Sequence, residues 1–176
     1  MILLHTCCAP CGTAAIERLI ALGYSPVLFF SNSNISPRKE FEKRRDEARR
    51  LASILEVPFY EDEYDHTAWL KAVSKFPGYA EEPEGGRRCA ACFEFSFRRA
   101  EIQAASLEIP AFTTTLSISP YKKSRQLFDV GALFPGFEPI NFKKKDGYKR
   151  SIELSRKYGL YRQQYCGCEF SRREKT

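Results

Sequence analysis

Seven cysteines stand in three short runs, Cys7-Cys8-Ala9-Pro10-Cys11, Cys89-Ala90-Ala91-Cys92 and Cys166-Gly167-Cys168, and each lies within three residues of another. Thiols spaced in this way can converge on one centre, whereas cysteines used as small core hydrophobes fall singly. A disulfide framework is the competing reading, but it belongs mainly to small secreted domains, and a chain of 176 residues can bury a core without staples. The cysteine count is also odd. Met1 to Leu4 has only strand length, and no apolar run approaches the roughly 20 residues that span a bilayer. The expectation is a cytoplasmic protein with no membrane partner, whose reduced thiols are available to metal.

A structural zinc site is closed by four ligands, so seven thiols leave three over. Iron–sulfur clusters also take four cysteines, and further thiols beside one serve as redox partners or as ligands to a second iron. Cys166-Gly167-Cys168 is able to close a small, labile disulfide of the kind suited to electron transfer. Thiol count therefore favours iron–sulfur over zinc and leaves zinc open.

Short apolar runs alternate with helix-period segments, which is the pattern of an α/β fold with a Rossmann-like parallel sheet flanked by helices. Strands are expected at Met1–His5, Val27–Phe30, Val57–Tyr60 and Ala111–Thr115, with a weaker one at Phe137–Ile140. Helices are expected at Gly12–Leu22, from Pro37 through Leu55, through Trp69, and over Arg88–Ala105, Tyr121–Phe134 and Tyr148–Tyr158. Gly78–Gly86 reads as a loop, and nothing marks a linker, so residues 1–176 are expected to form one domain. The first cysteine run then lies beyond the carboxyl end of strand one, where open parallel sheets bind ligands. A phosphate-binding loop there needs several glycines, and Thr6 to Gly12 contains one, which argues against ATP chemistry. Helix-start positions are expected to favour thiolate at Cys11 and Cys89.

The net charge is +6, with Lys143, Lys144 and Lys145 in one run and Lys122, Lys123 and Arg125 after Pro120. By charge alone an ordinary solvated surface is favoured over nucleic-acid binding. His5, inside the first strand, reads as a packed core histidine, His66 as surface and Trp69 as core.

Leu3-Leu4-His5-Thr6-Cys7-Cys8-Ala9-Pro10-Cys11, Arg88-Cys89-Ala90-Ala91-Cys92, Phe112-Thr113-Thr114-Thr115-Leu116 and Tyr161-Arg162-Gln163-Gln164-Tyr165-Cys166-Gly167-Cys168 together resemble the epoxyqueuosine reductases of the QueH type. The chain departs from that pattern at Ser31-Asn32-Ser33-Asn34 and at Asn141. The resemblance implies an oxidoreductase that reduces the epoxide of epoxyqueuosine in the tRNA wobble position to queuosine. It also implies a [4Fe-4S] cluster, an additional metal beside it, for which iron is one candidate, an electron donor, and a fold similar to the ATP-pyrophosphatase (HUP-like) enzymes. On rigid strand-end and helix-start platforms, Cys7, Cys8, Cys89 and Cys92 are expected to hold the cluster. Cys11, Cys166 and Cys168 are left as catalytic residues, either binding the second metal or, for Cys166 and Cys168, cycling as a dithiol. Asn32, Asn34, Lys143, Lys144 and Tyr165 are the expected substrate contacts, although turn chemistry alone also places asparagines at a strand end. The alternatives are an iron–sulfur tRNA thiolase, which needs ATP, and a zinc-stabilised RNA-binding module, which has no use for three further thiols.

Overall fold

The computed structural model describes residues 1–171. Four strands, β1 (Ile2–His5), β2 (Pro26–Phe30), β3 (Phe59–Glu61) and β4 (Phe112–Thr114), form an entirely parallel sheet in the order β3-β2-β1-β4. Among the described residues six α-helices accompany it: α1 (Ala9–Ala21), α2 (Arg38–Ile54), α3 (His66–Val73), α4 (Arg87–Ser106), α5 (Ser124–Gly131) and α6 (Gly147–Lys157). Strands β1 and β2 are buried along their whole length, which is why they read as unbroken apolar runs rather than as alternation.

Alternate strand residues feed two different layers, as the twofold strand period requires. Ile2, Leu4 and Leu28 pack with Ile16, Leu51 and Leu154 from α1, α2 and α6. Leu3, Val27 and Phe29 pack with Phe93 and Phe97 of α4 and Leu127 of α5. The chain steps outward from β1 through β2 to β3 and then returns to the other side of β1 as β4. This reversal opens a crevice at the carboxyl ends of β1 and β4, the position at which such sheets bind ligands. Cys7 follows β1 and Thr115 follows β4, and the Cys7 backbone N–H donates to Thr115 Oγ1 across the reversal (3.1 Å).

Several boundaries differ from the sequence expectation. Helix α1 begins at Ala9 instead of Gly12, because Pro10 sits in the first turn, where its missing N–H has no intrahelical partner to lose. Cys8 thereby becomes the helix cap and Cys11 a first-turn residue. Strand β3 starts two residues late, after Pro58. Helix α5 starts at Ser124 and ends at Gly131, short of Phe134, whose place before Pro135 disfavours the helical region. The expected strand at Phe137–Ile140 is reduced to a single bridge between Phe112 and Phe137, since Pro139 cannot continue the ladder. No helix among the described residues is long and apolar enough to cross a membrane.

The packing makes a contrast in stability. Leu28→Ala, in a fully buried strand position, is expected to cost about 2–5 kcal/mol in urea unfolding followed by the fluorescence of Trp69. Ile20→Ala, on the exposed side of α1, is expected to stay within about 0.5 kcal/mol of the parent.

Candidate metal centre

The structure sorts the seven thiols, all unpaired, into two groups. The Sγ atoms of Cys7, Cys8 and Cys11 lie within 4.8 Å of one another at the start of α1. Cys89 and Cys92, one turn apart at the start of α4, line a narrow recess together with Cys166 and Cys168. This differs from the expected pairing of Cys7 and Cys8 with Cys89 and Cys92. Cys8 turns to Cys7 and Cys11, while the tail cysteines close on the α4 pair. Both groups nevertheless reach one larger cavity of about 710 Å³, whose wall includes Cys7, Cys11, Cys89, Cys92 and Cys166. Its size is that of a small-molecule site.

Hydrogen-bond donors are aimed at sulfur from widely separated parts of the chain. The Gly85 N–H points at Cys89 Sγ (3.2 Å), Trp69 Nε1–H at Cys92 Sγ (3.3 Å) and the Lys122 ammonium at Cys166 Sγ (3.1 Å). In the other group Thr115 Oγ1–H donates to Cys7 Sγ (3.3 Å), and the Gln163 side chain bonds Cys8. A neutral thiol is a weak acceptor, so such an array suits sulfur that carries charge, as a metal-bound thiolate does. The donor set therefore fits a thiolate-ligated metal or cluster.

Proximity shapes the ionisation of the first group. Hydrogen bonds from Cys11 and Cys7 hold Cys8 well below the ordinary thiol range, against the effect of burial. The bond with Cys11 lowers Cys7, but its contact with Cys8 and its burial outweigh this and push it up to about 11. Cys11 is raised well above the usual value by its bonds with Cys7 and Cys8. The thiolate expected at Cys11 is not favoured here, because its bonds with the Cys7 and Cys8 sulfurs, all within 4.8 Å, raise it. In the second group, burial and then the charge of Cys166 raise Cys92 and Cys168. Burial opposes the charge of Lys122, yet Cys166, Cys89 and Cys92 together raise its pKa.

The tail that carries Cys166 and Cys168 is held by Arg44. On the buried stripe of α2, between Phe41 and Ala48, Arg44 is 2% exposed. Its guanidinium pairs with Glu40 (2.7 Å) and donates to the carbonyls of Cys166 (3.0 Å) and Tyr165 (3.2 Å). Gly167 has φ +136°, and a Cβ there would lie 2.9 Å from Ile35 and 3.3 Å from the Arg44 guanidinium, so the middle residue of Cys-Gly-Cys must be glycine. Charge on an otherwise apolar helix stripe was the sequence signal for Arg44. Nothing in the sequence separates Lys122 from its neighbours Lys123 and Tyr121.

The other expected residues divide by role. Asn34 lines both the recess and the large cavity. Asn32 also faces the cavity, but its amide donates to the Thr6 carbonyl (2.8 Å) and ties the end of β2 to that of β1. Tyr165 lines the cavity, donates its hydroxyl to the Ser36 carbonyl (2.7 Å) and lies against the Arg44 guanidinium. Lys143 lines neither space, and its ammonium bonds the Lys122 carbonyl, while Lys144 is exposed. His5 is a core residue, as expected: Nε2–H donates to the Ser31 carbonyl and Nδ1 accepts from Thr114, at 2.9 Å each. His66 is not a free surface group; Nδ1–H donates to the Ser33 carbonyl (2.8 Å), Nε2 faces Glu169 (3.1 Å) and the ring stacks on buried Trp69.

A family model described as "Epoxyqueuosine reductase QueH" matches residues 2–174. Among curated proteins, the chain is 36% identical to an epoxyqueuosine reductase QueH of Streptococcus pyogenes, over 97% of this chain and 69% of that one. It is 36% identical to an Acinetobacter baylyi protein of the same name, over 98% and 81% of the two chains. A Thermotoga maritima protein, again of that name, is 32% identical over 99% and 93%.

Arg44→Met removes the donors that hold the tail and strands Glu40 without its cation. It is expected to cost about 3 kcal/mol and to make trypsin cleave after Arg162 under conditions that leave the parent intact. Unchanged stability and unchanged cleavage would show that other contacts hold Cys166 and Cys168.

Proposed function

The chain belongs to the epoxyqueuosine reductase QueH family and is an oxidoreductase, and from that premise we propose that it reduces the epoxide of epoxyqueuosine in the tRNA wobble position to queuosine. The observation that carries the metal part of this reading is the set of three N–H donors aimed at Cys89, Cys92 and Cys166 beside a nucleoside-sized cavity. Cys89, Cys92, Cys166 and Cys168 are four thiols around one recess, the number a [4Fe-4S] cluster takes. Cys7, Cys8 and Cys11 are then the ligands of an additional metal. This partition is proposed in place of the pairing expected from the sequence, because Cys89, Cys92, Cys166 and Cys168 line the narrow recess that Cys7, Cys8 and Cys11 do not.

When bound, the cluster supplies electrons singly, at a potential set by burial and by hydrogen bonds to its sulfurs. The protein's share is positioning and exclusion of water. Removal of an epoxide oxygen as water takes two electrons and two protons, so the nucleoside must sit beside the thiols with bulk solvent kept out. Extrusion of the nucleotide from its stack lets it enter such a pocket. Asn34 and Asn32 bring side-chain amides to the cavity wall, next to the place where the base and its cyclopentane diol would lie. Outside the cavity, exposed Lys144 and Lys145 suit the tRNA backbone, whereas Lys143 braces the Lys122 segment.

Protein prepared without oxygen is expected to contain about four irons and four sulfides per chain for the cluster, together with a further metal. Cys89→Ala and Cys166→Ala should lose the visible absorbance of the cluster, while Cys8→Ala should keep most of it and lose turnover of epoxyqueuosine in tRNA. Stoichiometric zinc without sulfide contradicts the cluster; a colourless Cys8→Ala beside a coloured Cys166→Ala contradicts the partition. Replacing Lys144 and Lys145 by alanine should weaken tRNA binding and flatten its dependence on log salt by about 1 per lysine. An unchanged salt slope would place the tRNA path on another face.

A further inference from the structure

Lys122 lies in the turn between the 3₁₀ segment Thr115–Ile118 and α5, and its side chain runs inward while its neighbours face solvent. Tyr121 is 84% exposed and Lys123 is exposed as well. A lysine normally keeps its ammonium in water, and ordering it costs rotamer freedom. Here Nζ is 3.1 Å from Cys166 Sγ and 5.5 Å from the centre of the Phe93 ring, inside the recess that Cys89, Cys92 and Cys168 also line. Lys143 Nζ bonds the Lys122 carbonyl and fixes the backbone from which the side chain projects. Among the described residues no carboxylate comes within ion-pair distance of this ammonium, so sulfur is its partner. Arg88, the other cation on the recess wall, directs its guanidinium to the carbonyls of Tyr79 and Ala80.

We infer that Lys122 is a positioning residue that sets the reduction potential of the centre held by Cys89, Cys92, Cys166 and Cys168, by keeping a positive charge against the Cys166 sulfur. The inference rests on the cluster reading above. Reduction adds negative charge to the centre, and a fixed cation at hydrogen-bond distance from a ligand sulfur stabilises the reduced form more than the oxidised one. The potential is therefore higher with Lys122 than without it. Trp69, whose neutral N–H meets Cys92, exerts the same effect more weakly, since charge-assisted hydrogen bonds are about twice as strong as neutral ones.

The test is a redox titration of the anaerobic holoprotein followed by its visible absorbance. Lys122→Met should shift the one-electron equilibrium toward the oxidised form at least tenfold, a fall of about 59 mV. Lys122→Arg should remain near the parent, and Trp69→Phe should fall less than Lys122→Met. Should Lys122→Met fail to retain the cluster, Lys122→Gln, which loses the charge and keeps a donor, should show a fall in the same direction. A loaded Lys122→Met or Lys122→Gln with the parent potential overturns the inference alone, as does a Lys122→Arg shifted as far as Lys122→Met. A parent protein without iron and sulfide overturns the cluster reading and the inference with it.

Discussion

Negative charge on crowded, buried sulfur is costly, because neighbouring thiolates repel one another and little water remains to screen them. Cys7, Cys8 and Cys11 hold three sulfurs within 4.8 Å, and four more line one narrow recess. Much of the local architecture answers that repulsion. Both groups begin at a helix start, with Cys8 capping α1 and Cys89 in the first turn of α4. Donors from Gly85, Trp69, Lys122, Thr115 and Gln163 meet five of the sulfurs. Within the first group the proton load is uneven, with Cys8 lowered and Cys7 and Cys11 raised. Such an arrangement is one that the positive charge of a metal would relieve, and the three sulfurs at Cys7, Cys8 and Cys11 are placed to hold one.

The cost of assembling these donors is met by long-range ties. Cys166 and Cys168 come to α4 from the far end of the described chain, and Arg44 of α2 holds that segment by the carbonyls of Tyr165 and Cys166. Gly167 permits the close approach, and the Ser36 N–H bonds its carbonyl (2.9 Å). Glu169, just past Cys168, meets His66, and Trp69 of the same helix meets Cys92. Helices α2, α3 and α4 thus all contribute to one wall, so loss of a tie should be felt at the sulfurs as well as in stability.

Much of the fold was legible because its strongest signals are local. The apolar runs of β1 and β2 and the stripe of α2 follow directly from burial on two faces and on one face respectively. Errors fell where proline chemistry has two readings: Pro10 as a loop residue or a first-turn residue, and Pro139 as a neighbour of a strand or the end of one. The three cysteine runs were conspicuous in the sequence, and the motifs pointed to the family. The grouping of the sulfurs was not legible, because it depends on where a tail some sixty residues beyond the end of α4 folds back. Lys122 was hidden for the same reason: a lysine in a basic stretch looks solvated until the sulfur opposite it is known.

Diffraction from crystals of anaerobically prepared protein, recorded on both sides of the iron absorption edge, locates the metal directly. The expected result is a compact iron cluster enclosed by Cys89, Cys92, Cys166 and Cys168, with a separate metal peak at Cys7, Cys8 and Cys11. Iron density joining Cys7 and Cys8 to Cys89 and Cys92, with Cys166 and Cys168 free of metal, would contradict it.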